Sequence, residues 1–402
     1  MTPATPAVDA HVHVAFLGPD QEPPPPPPDV PVFMEPGPER GAVSPWMRRQ
    51  LSFKIFLLYN KIPASQVNDA FLRRKALEIF RDSMLDHIVA LALDPVYTRA
   101  GERRPDLSNM WVANEFVLDL AAEYQELLPP AERGRRSILF GASVHPYAPN
   151  FKDRVRWCVE RGAVLLKWIP SAQQINLADP RVGDALEFLA TARRGKPLPL
   201  LLHVGSELVI ITTDPHTTSY DFVSWSRWDR FWNALRPRAA RWAVPDLPGV
   251  HSELLRGLEA GATIIFAHLG LPYFAPTFLG RLAEHSDFDA VRQYLERYPG
   301  RGGIAGKCFA DLSACVTPFR KGYFGRIARL PAGSLLAGSD FPVPVFALSA
   351  DLAEHWKDFK AMMRGDLSRV VVPQGNLLDV NWRELQHAFP GHAMFTNFSQ
   401  LR

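Results

Sequence analysis

The chain has 402 residues, of which 47% are hydrophobic and 22% are charged. This composition is typical of a globular protein and excludes wholesale disorder. The 45 basic and 42 acidic residues give a formal net charge of only +3, so charge gives no reason to expect a nucleic acid as partner. No apolar run approaches the roughly 18 residues of a membrane-spanning helix, so we expect no membrane contact.

The cysteine pattern and the N-terminus indicate the compartment. Cys158, Cys308 and Cys315 cannot all pair, and none lies in a CxxC motif. The first residues lack the charged and apolar regions of a signal peptide. We therefore expect a cytoplasmic protein.

Short apolar segments alternate with amphipathic segments along the chain. Eight apolar segments have the length and continuity of strands that are buried on both faces. They are residues 7–14, 87–93, 138–145, 163–169, 198–204, 262–269, 307–313 and 334–340. The helices predicted between them include residues 68–84, 111–127, 151–161, 184–194, 251–260 and 288–298.

Repeated alternation of strand and helix predicts an α/β fold, with a parallel sheet closed into a (β/α)8 TIM barrel. We expect one domain over residues 1–402. The alternative is an open, doubly wound sheet, which the lack of a GxGxxG motif after the first strand disfavours.

Two connections are unusually long. The first contains a Pro-rich insertion at about residues 18–45, with six consecutive prolines from Pro23 to Pro28, followed by a predicted helix at 46–59. The proline run predicts an exposed loop or polyproline II conformation. The second runs from about residue 205 to 261, a length typical of a functional cover or a disordered loop. We expect its Asp214, His216 and Arg227 at the surface.

Polar residues interrupt the first predicted strand. Residues two apart in a strand share a face, so Asp9, His11 and His13 are predicted to point the same way. Two neighbouring imidazoles can share a divalent metal ion. The HxH spacing alone is a weak motif, and a structural pair of histidines is the alternative.

Four later strands carry a titratable residue at or near their C-terminal ends: Lys167, His203, His268 and Asp340. In a barrel these ends converge on one face, where active sites lie. Singly, each residue has a structural alternative, such as a hydrogen-bonded core histidine, a helix-capping aspartate or a snorkelling lysine. Together with the first-strand histidines they predict a divalent metal site, with ligand types that suit zinc.

These ordered motifs resemble the metal-dependent amidohydrolase superfamily, and within it the amidohydrolase-related branch of predicted TIM-barrel metal-dependent hydrolases. The residues that carry the resemblance are Asp9-Ala-His11-Val-His13, Lys167, His203, His268 and Ser339-Asp340-Phe-Pro342. The resemblance extends from Val8 to about Leu401. It implies one or two divalent ions, for which zinc is expected and manganese, iron or nickel are alternatives.

The resemblance implies two alternative arrangements of the metal. With two ions, one is held by His11, His13 and Asp340 and the other by His203 and His268, with a carboxylated Lys167 as the bridge. With one ion, the ligands are His11, His13, His203 and Asp340. His268 is then an acid/base or polarising group, and Lys167 is a charge partner.

The function implied is hydrolysis of an amide, lactone or related carbonyl-containing small molecule by metal-activated water. Asp340 would accept and return the proton, and His268 would stabilise developing charge. The main alternative is a metal-dependent decarboxylase, a carbon–carbon lyase of the aminocarboxymuconate-semialdehyde decarboxylase type. A third is a non-enzymatic binding barrel, and a homo-oligomer is left open.

Three further residues have two alternative roles each. Asp9 is a candidate hydrogen-bond partner of His11, or else makes a purely structural bond. His145 and Trp168, at strand ends, are candidates either for substrate contact or for packing at the rim.

Overall fold

The computed structural model describes residues 5–15, 17, 40–63, 65, 67–204, 247–271, 273–276, 282–285, 287–301, 306–317, 320–342 and 374–401. The predicted proline run and most of the 205–261 connection lie outside the described residues, as do Asp214, His216 and Arg227. In the described part of the chain, every helix is too short or too polar to span a lipid bilayer.

Eight parallel strands form one sheet in the order of the chain. They are β1 (Val8–His13), β2 (His87–Leu91), β3 (Ser137–Ala142), β4 (Leu165–Trp168), β5 (Leu200–Leu202), β6 (Thr263–Phe266), β7 (Lys307–Asp311) and β8 (Leu335–Leu336). The backbone after β8 pairs with β1: Ala10 N donates to Ala337 O over 3.0 Å, and His13 N donates to Phe341 O over 2.7 Å. These bonds close the sheet, so the predicted (β/α)8 barrel is confirmed.

Helices follow the strands along the described chain. They are α1 (Pro45–Arg49), α2 (Leu51–Tyr59), α3 (Asp69–Arg81), α4 (Asn114–Leu127), α5 (Phe151–Glu160), α6 (Pro170–Gln173), α7 (Pro180–Leu189), α8 (Leu247–Glu259), α9 (Phe288–Arg297), α10 (Phe324–Ile327) and α11 (Leu377–Ala388). Short antiparallel pairs join Gly41–Val43 to Met110–Val112, Val96–Tyr97 to Arg103–Arg104, and Tyr273–Pro276 to Leu282–His285.

Several predicted helices differ from the observed ones in their bounds or in their continuity. The helix predicted at 111–127 begins only at Asn114, because Met110–Val112 is a strand. The helix predicted at 184–194 begins earlier, at Pro180, where the Asp179 side chain caps it and proline occupies the first turn. The helix predicted at 46–59 is two helices, separated where Gln50 is extended.

The strands are buried on both faces. Alternate residues, such as Val89 and Leu91 in β2, belong to the apolar cluster inside the barrel. Their neighbours, such as Ile88 and Ala90, belong to the larger core that includes the surrounding helices. This double burial explains why the strands are continuously apolar.

Strand β1 departs from regular alternation. Its pairing with β2 shifts between Asp9 and Val12, so β1 contains an extra residue at that point. Asp9 pairs with Ile88, whose side chain lies in the outer core, whereas His13 pairs with Leu91, whose side chain lies inside the barrel. The predicted common face of Asp9, His11 and His13 is therefore wrong for Asp9.

The close packing of α7 on α8 gives a test of the fold. A Cβ added at Gly257 in α8 would overlap the Cβ of Leu186 in α7. Alanine is favoured over glycine in a helix by about 1 kcal/mol. Overpacking of a core contact, however, typically costs about 1–3 kcal/mol. We expect Gly257→Ala to lower the free energy of unfolding in urea, followed by circular dichroism.

Gly325→Ala in α10 is the matched control, because within the ranges that the structure describes no heavy atom outside its own helix and chain neighbours lies within 4 Å of the added Cβ. It should leave stability unchanged or raise it by a few tenths of a kcal/mol. An equal gain in stability from both variants would contradict the packing of α7 on α8.

Candidate metal centre

The structure brings all six predicted site residues to the C-terminal end of the barrel. His11 and His13 end β1, and Lys167 lies near the end of β4. The other three follow β5, β6 and β8 directly or within a few residues: His203, His268 and Asp340. Convergence of strand ends therefore occurs as the barrel geometry predicts.

The Nε2 atom of His11 lies at the middle of the cluster. It is 3.1 Å from His13 Nε2, 3.1 Å from Lys167 Nζ and 3.4 Å from Asp340 Oδ1. The same Asp340 oxygen lies 3.3 Å from His13 Nε2. Two imidazoles, one carboxylate and one amine thus share a space of a few ångströms.

His268 and His203 complete the group. The His268 ring centroid lies 5.0 Å from that of His11 and 4.9 Å from that of His203. Its Nδ1 atom lies 3.8 Å from Asp340 Oδ2. Among the described residues, ligand atoms of His11, His268 and Asp340 lie within 4.8 Å of one another, a spacing that can hold a metal ion.

Burial sets the charge state of the imidazoles. It lowers the pKa of His11 and of His203 well below the ordinary value, and the positive charge of Lys167 lowers both further. Burial, followed by the neighbouring His203, lowers the pKa of His268 in the same direction. These imidazoles are therefore neutral and retain a nitrogen lone pair, which is the form that binds a metal.

The donor atoms fit a divalent cation. Asp311 Oδ2 accepts a hydrogen bond of 2.9 Å from His11 Nδ1, so the lone pair of His11 lies on Nε2, inside the cluster. One lone pair cannot accept a hydrogen bond from every polar group around it. A cation bound by His11 Nε2, a His13 nitrogen and the Asp340 carboxylate would use the lone pairs of all three groups. Imidazole nitrogen and carboxylate oxygen are ligand atoms that suit zinc and related ions.

Two site residues have a left-handed backbone. His268 has φ 56° and Asp340 has φ 60°. Such conformations cost about 1–3 kcal/mol in residues other than glycine, and they concentrate at functional sites. They are held here by hydrogen bonds, from His268 N to Asp311 Oδ1 and from Asp340 N to His11 O.

Sequence reasoning missed Asp311 and Ser313, which contact the site histidines. Ser313 Oγ lies 3.0 Å from His11 Nδ1 and 2.8 Å from His268 Nδ1. A signal was available, because Asp311 is the last residue of β7 and the strand-end rule applies to it as it does to the others.

Asp9 has a structural role in place of a contact with the His11 ring. Its Oδ1 accepts hydrogen bonds of 3.0 Å from the backbone N–H groups of His11 and Ser339. Burial raises the pKa of Asp9 to about 7. The carboxyl group thus ties β1 to the backbone that follows β8.

The structure favours packing as the role of His145 and Trp168. His145 Nε2 donates to Gln173 O over 2.8 Å, and its Nδ1 accepts from Tyr147 N over 3.1 Å. Trp168 is fully buried and donates to Val144 O. The polar ring atoms of both residues are therefore used in holding loops together.

Comparison with known proteins gives structural matches only. No family model and no curated protein matches the chain. The IDCase of Metarhizium anisopliae is 14% identical, with 95% of this chain and 96% of that chain covered and a TM-score of 0.41. The 2,6-dihydroxybenzoate decarboxylase from Rhizobium is 12% identical, with 83% of this chain and 94% of that chain covered and a TM-score of 0.33. A proposed 2-pyrone-4,6-dicarboxylic acid hydrolase from Pseudomonas putida is 13% identical, with 94% of this chain and 98% of that chain covered and a TM-score of 0.37. Similarity at this level assigns no activity to this chain.

The packing role of His145 predicts a pH effect. Burial lowers the pKa of His145 to about 3, against about 6.5 in an unfolded chain. Below pH 6.5 the unfolded chain takes up a proton that the folded protein does not, so acid lowers the stability of the wild type. We expect His145→Gln to have a lower free energy of unfolding than the wild type at pH 7. Between pH 6 and 4.5, the free energy of unfolding of the variant should fall less steeply than that of the wild type, by about 1.4 kcal/mol per pH unit. Urea unfolding at several pH values measures this.

Tyr147→Phe is the control, because it removes a hydroxyl bonded to Asn176 N in the same loops and no group that titrates in this range. Its stability difference from the wild type should not depend on pH. Parallel pH profiles for the wild type and His145→Gln would contradict the buried, neutral state of His145.

Proposed function

We propose that the protein is a metal-dependent hydrolase that cleaves an amide, lactone or related carbonyl-containing small molecule. The observation that carries the proposal is the meeting of the neutral His11 imidazole, His13 and Asp340 at the mouth of a closed barrel. Each of these groups lies within 3.4 Å of the next. We place the activity in the cytoplasm, which the three cysteines that cannot all pair support.

The proposed cofactor is a divalent ion, with zinc expected from the nitrogen and carboxylate donors. His11, His13 and Asp340 would hold one ion, with His203 and His268 beside it. When bound, such an ion acidifies water and polarises a carbonyl group.

Lys167 favours an arrangement with two ions. The residue is fully buried, and its Nζ lies 3.1 Å from His11 Nε2. A buried ammonium group carries a desolvation cost. Attack of the neutral amine on carbon dioxide forms an N–C bond and releases one proton, which gives an anionic carbamate. We propose that this carboxylated lysine would help to hold two ions, the second together with His203 and His268.

In the proposed reaction, Asp340 moves the proton and His268 stabilises charge. Asp340 is 7% exposed, so its carboxylate is near the surface of the cluster and can accept a proton from water and return it to a leaving group. His268 is 7% exposed and its Nδ1 lies 3.8 Å from Asp340 Oδ2, and we assign to it the stabilisation of charge that develops on a substrate oxygen.

Removal of a proposed ligand tests the metal centre. We expect His13→Ala and Asp340→Asn to lose bound metal, measured by elemental mass spectrometry, and to lose turnover of any amide or lactone that the wild type hydrolyses. His392→Asn is the control, because His392 caps a short helix and asparagine keeps an acceptor for Met394 N. It should retain both metal and activity.

The metal content of the wild type separates the two arrangements. Two ions per chain that require bicarbonate during loading, with a carbamate signal in ¹³C NMR, are expected from a carboxylated Lys167. One ion per chain with no carbamate would overturn the bridging role. A wild type that takes up no divalent ion would end the metal proposal.

The fate of water separates hydrolysis from decarboxylation. In H₂¹⁸O we expect one labelled oxygen in the product, because water attacks the carbonyl group. The assay uses a panel of amides, lactones and aromatic carboxylic acids, with the Asp340→Asn protein as the blank. Release of carbon dioxide from a carboxylic acid, without label in the organic product, would instead assign the protein as a lyase.

A further inference from the structure

We propose that Asp311 and Ser313, at the end of β7, are positioning residues that fix the tautomers of His11 and His268. They would thereby determine which nitrogen each imidazole presents to the metal. This inference rests on the metal centre proposed above, and neither residue touches the proposed ion.

Asp311 is surrounded by hydrogen-bond donors. It is fully buried, and its Oδ2 accepts from His11 Nδ1 over 2.9 Å. Its Oδ1 accepts from the backbone N–H groups of His268 and Ser313, each over 3.0 Å, and from the hydroxyl of Ser313. Four donors therefore point at the two carboxylate oxygens, three at Oδ1 and one at Oδ2, so Asp311 is the acceptor in each of these contacts.

This arrangement determines the tautomer of His11. Because the Asp311 carboxylate is the acceptor in the 2.9 Å contact with His11 Nδ1, the proton of His11 lies on Nδ1. The Ser313 hydroxyl is at 3.0 Å from the same nitrogen, but a bond to a charged carboxylate is the stronger of the two. Nε2 of His11 is consequently unprotonated, and it is this atom that faces His13, Lys167 and Asp340.

The same chain of bonds determines the tautomer of His268. The Ser313 hydroxyl proton is used in the bond to Asp311, so its oxygen can only accept from His268. His268 Nδ1 lies 2.8 Å from that oxygen and 3.3 Å from the backbone carbonyl of Ser313. Both neighbours are acceptors, which places the proton on Nδ1. Nε2 is then the nitrogen of His268 that is available to a metal or a substrate.

Asp311 also fixes the position of His268 along the chain. The hydrogen bond to its backbone N–H holds a turn in which His268 and Leu269 have φ values of 56° and 57°. One carboxylate therefore connects the ends of β1, β6 and β7. Its loss should disturb two imidazoles together.

The test is Asp311→Asn, a change of nearly equal size that reverses one hydrogen bond. The asparagine oxygen can keep the bonds from the two backbone N–H groups, which leaves its NH₂ group facing His11 Nδ1. A donor at that place forces Nδ1 to accept, so the proton of His11 moves to Nε2. We expect ¹⁵N NMR of metal-free, histidine-labelled protein to show one histidine changing tautomer. The affinity for zinc, measured by competition with a chelator, should fall by about 10–100-fold.

Variants of Ser313 test the second half of the proposal. Ser313→Ala removes the nearer acceptor of His268 Nδ1, the hydroxyl at 2.8 Å, and leaves only the backbone carbonyl at 3.3 Å, so the ¹⁵N signals of a different histidine should change. Ser313→Thr keeps the hydroxyl and should restore them. Asp94→Asn is the matched control: Asp94 is a buried carboxylate that follows β2 and accepts from His145 N, away from the cluster. It should alter neither the two tautomers nor the zinc affinity.

The outcomes separate this inference from the proposed function. A folded Asp311→Asn protein with all histidine tautomers unchanged overturns the inference. If that variant does not fold, Ser313→Ala decides, and unchanged His268 signals overturn it. A tautomer change in a protein whose wild type binds no divalent ion supports the positioning role and overturns the metal-dependent function.

Discussion

The site depends on the hydrogen bonds that join the first strand to the last. Asp340 N donates to His11 O over 2.9 Å, and His13 N donates to Phe341 O over 2.7 Å. These bonds place Asp340 beside two histidines that lie more than 300 residues earlier in the chain, and Asp9 adds a third link through Ser339 N. Without closure of the sheet, β1 and β8 would be edge strands, and the polar groups at their ends would be in water instead of in contact with one another.

Closure also creates the electrostatic problem that the site must solve. Lys167, Asp311 and several imidazoles are buried where an unsatisfied polar group is costly. The solution is a network in which each carboxylate oxygen of Asp311 has a donor, and in which the imidazoles remain neutral. Fully satisfied polar networks are rigid, which is consistent with left-handed backbone at His268 and Asp340. The packed apolar cluster inside the barrel supports this rigidity from below.

The sequence predicted the barrel and the site better than it predicted their details. Continuous apolar runs located all eight strands, because burial on both faces leaves a strong signal. Polar residues at strand ends predicted which six side chains meet at one end of the barrel, because the C-terminal ends of barrel strands converge. The extra residue in β1 could not be predicted from the sequence. The alternation of side chains along a strand, with its period of two residues, does not indicate where a residue is inserted. Asp9 was predicted as a candidate partner of His11 and Asp311 was missed, because which aspartate reaches which ring depends on register and closure, which are long-range properties.

The contact between Lys167 and His11 constrains how the site can work. His11 Nε2 is unprotonated and has one lone pair, and Lys167 Nζ lies 3.1 Å from it. If Lys167 is an ammonium group, it donates to that lone pair, which is then unavailable to a metal. If His11 binds a metal, Lys167 must give up the bond, either by moving away or by becoming a carbamate that itself offers oxygen atoms. Metal binding and the chemical state of Lys167 are therefore coupled, and this coupling links the number of ions to the presence of carbon dioxide. The buried lysine thus constrains the chemistry of this barrel, because one lone pair of His11 cannot serve both the present hydrogen bond from Lys167 and a bound ion.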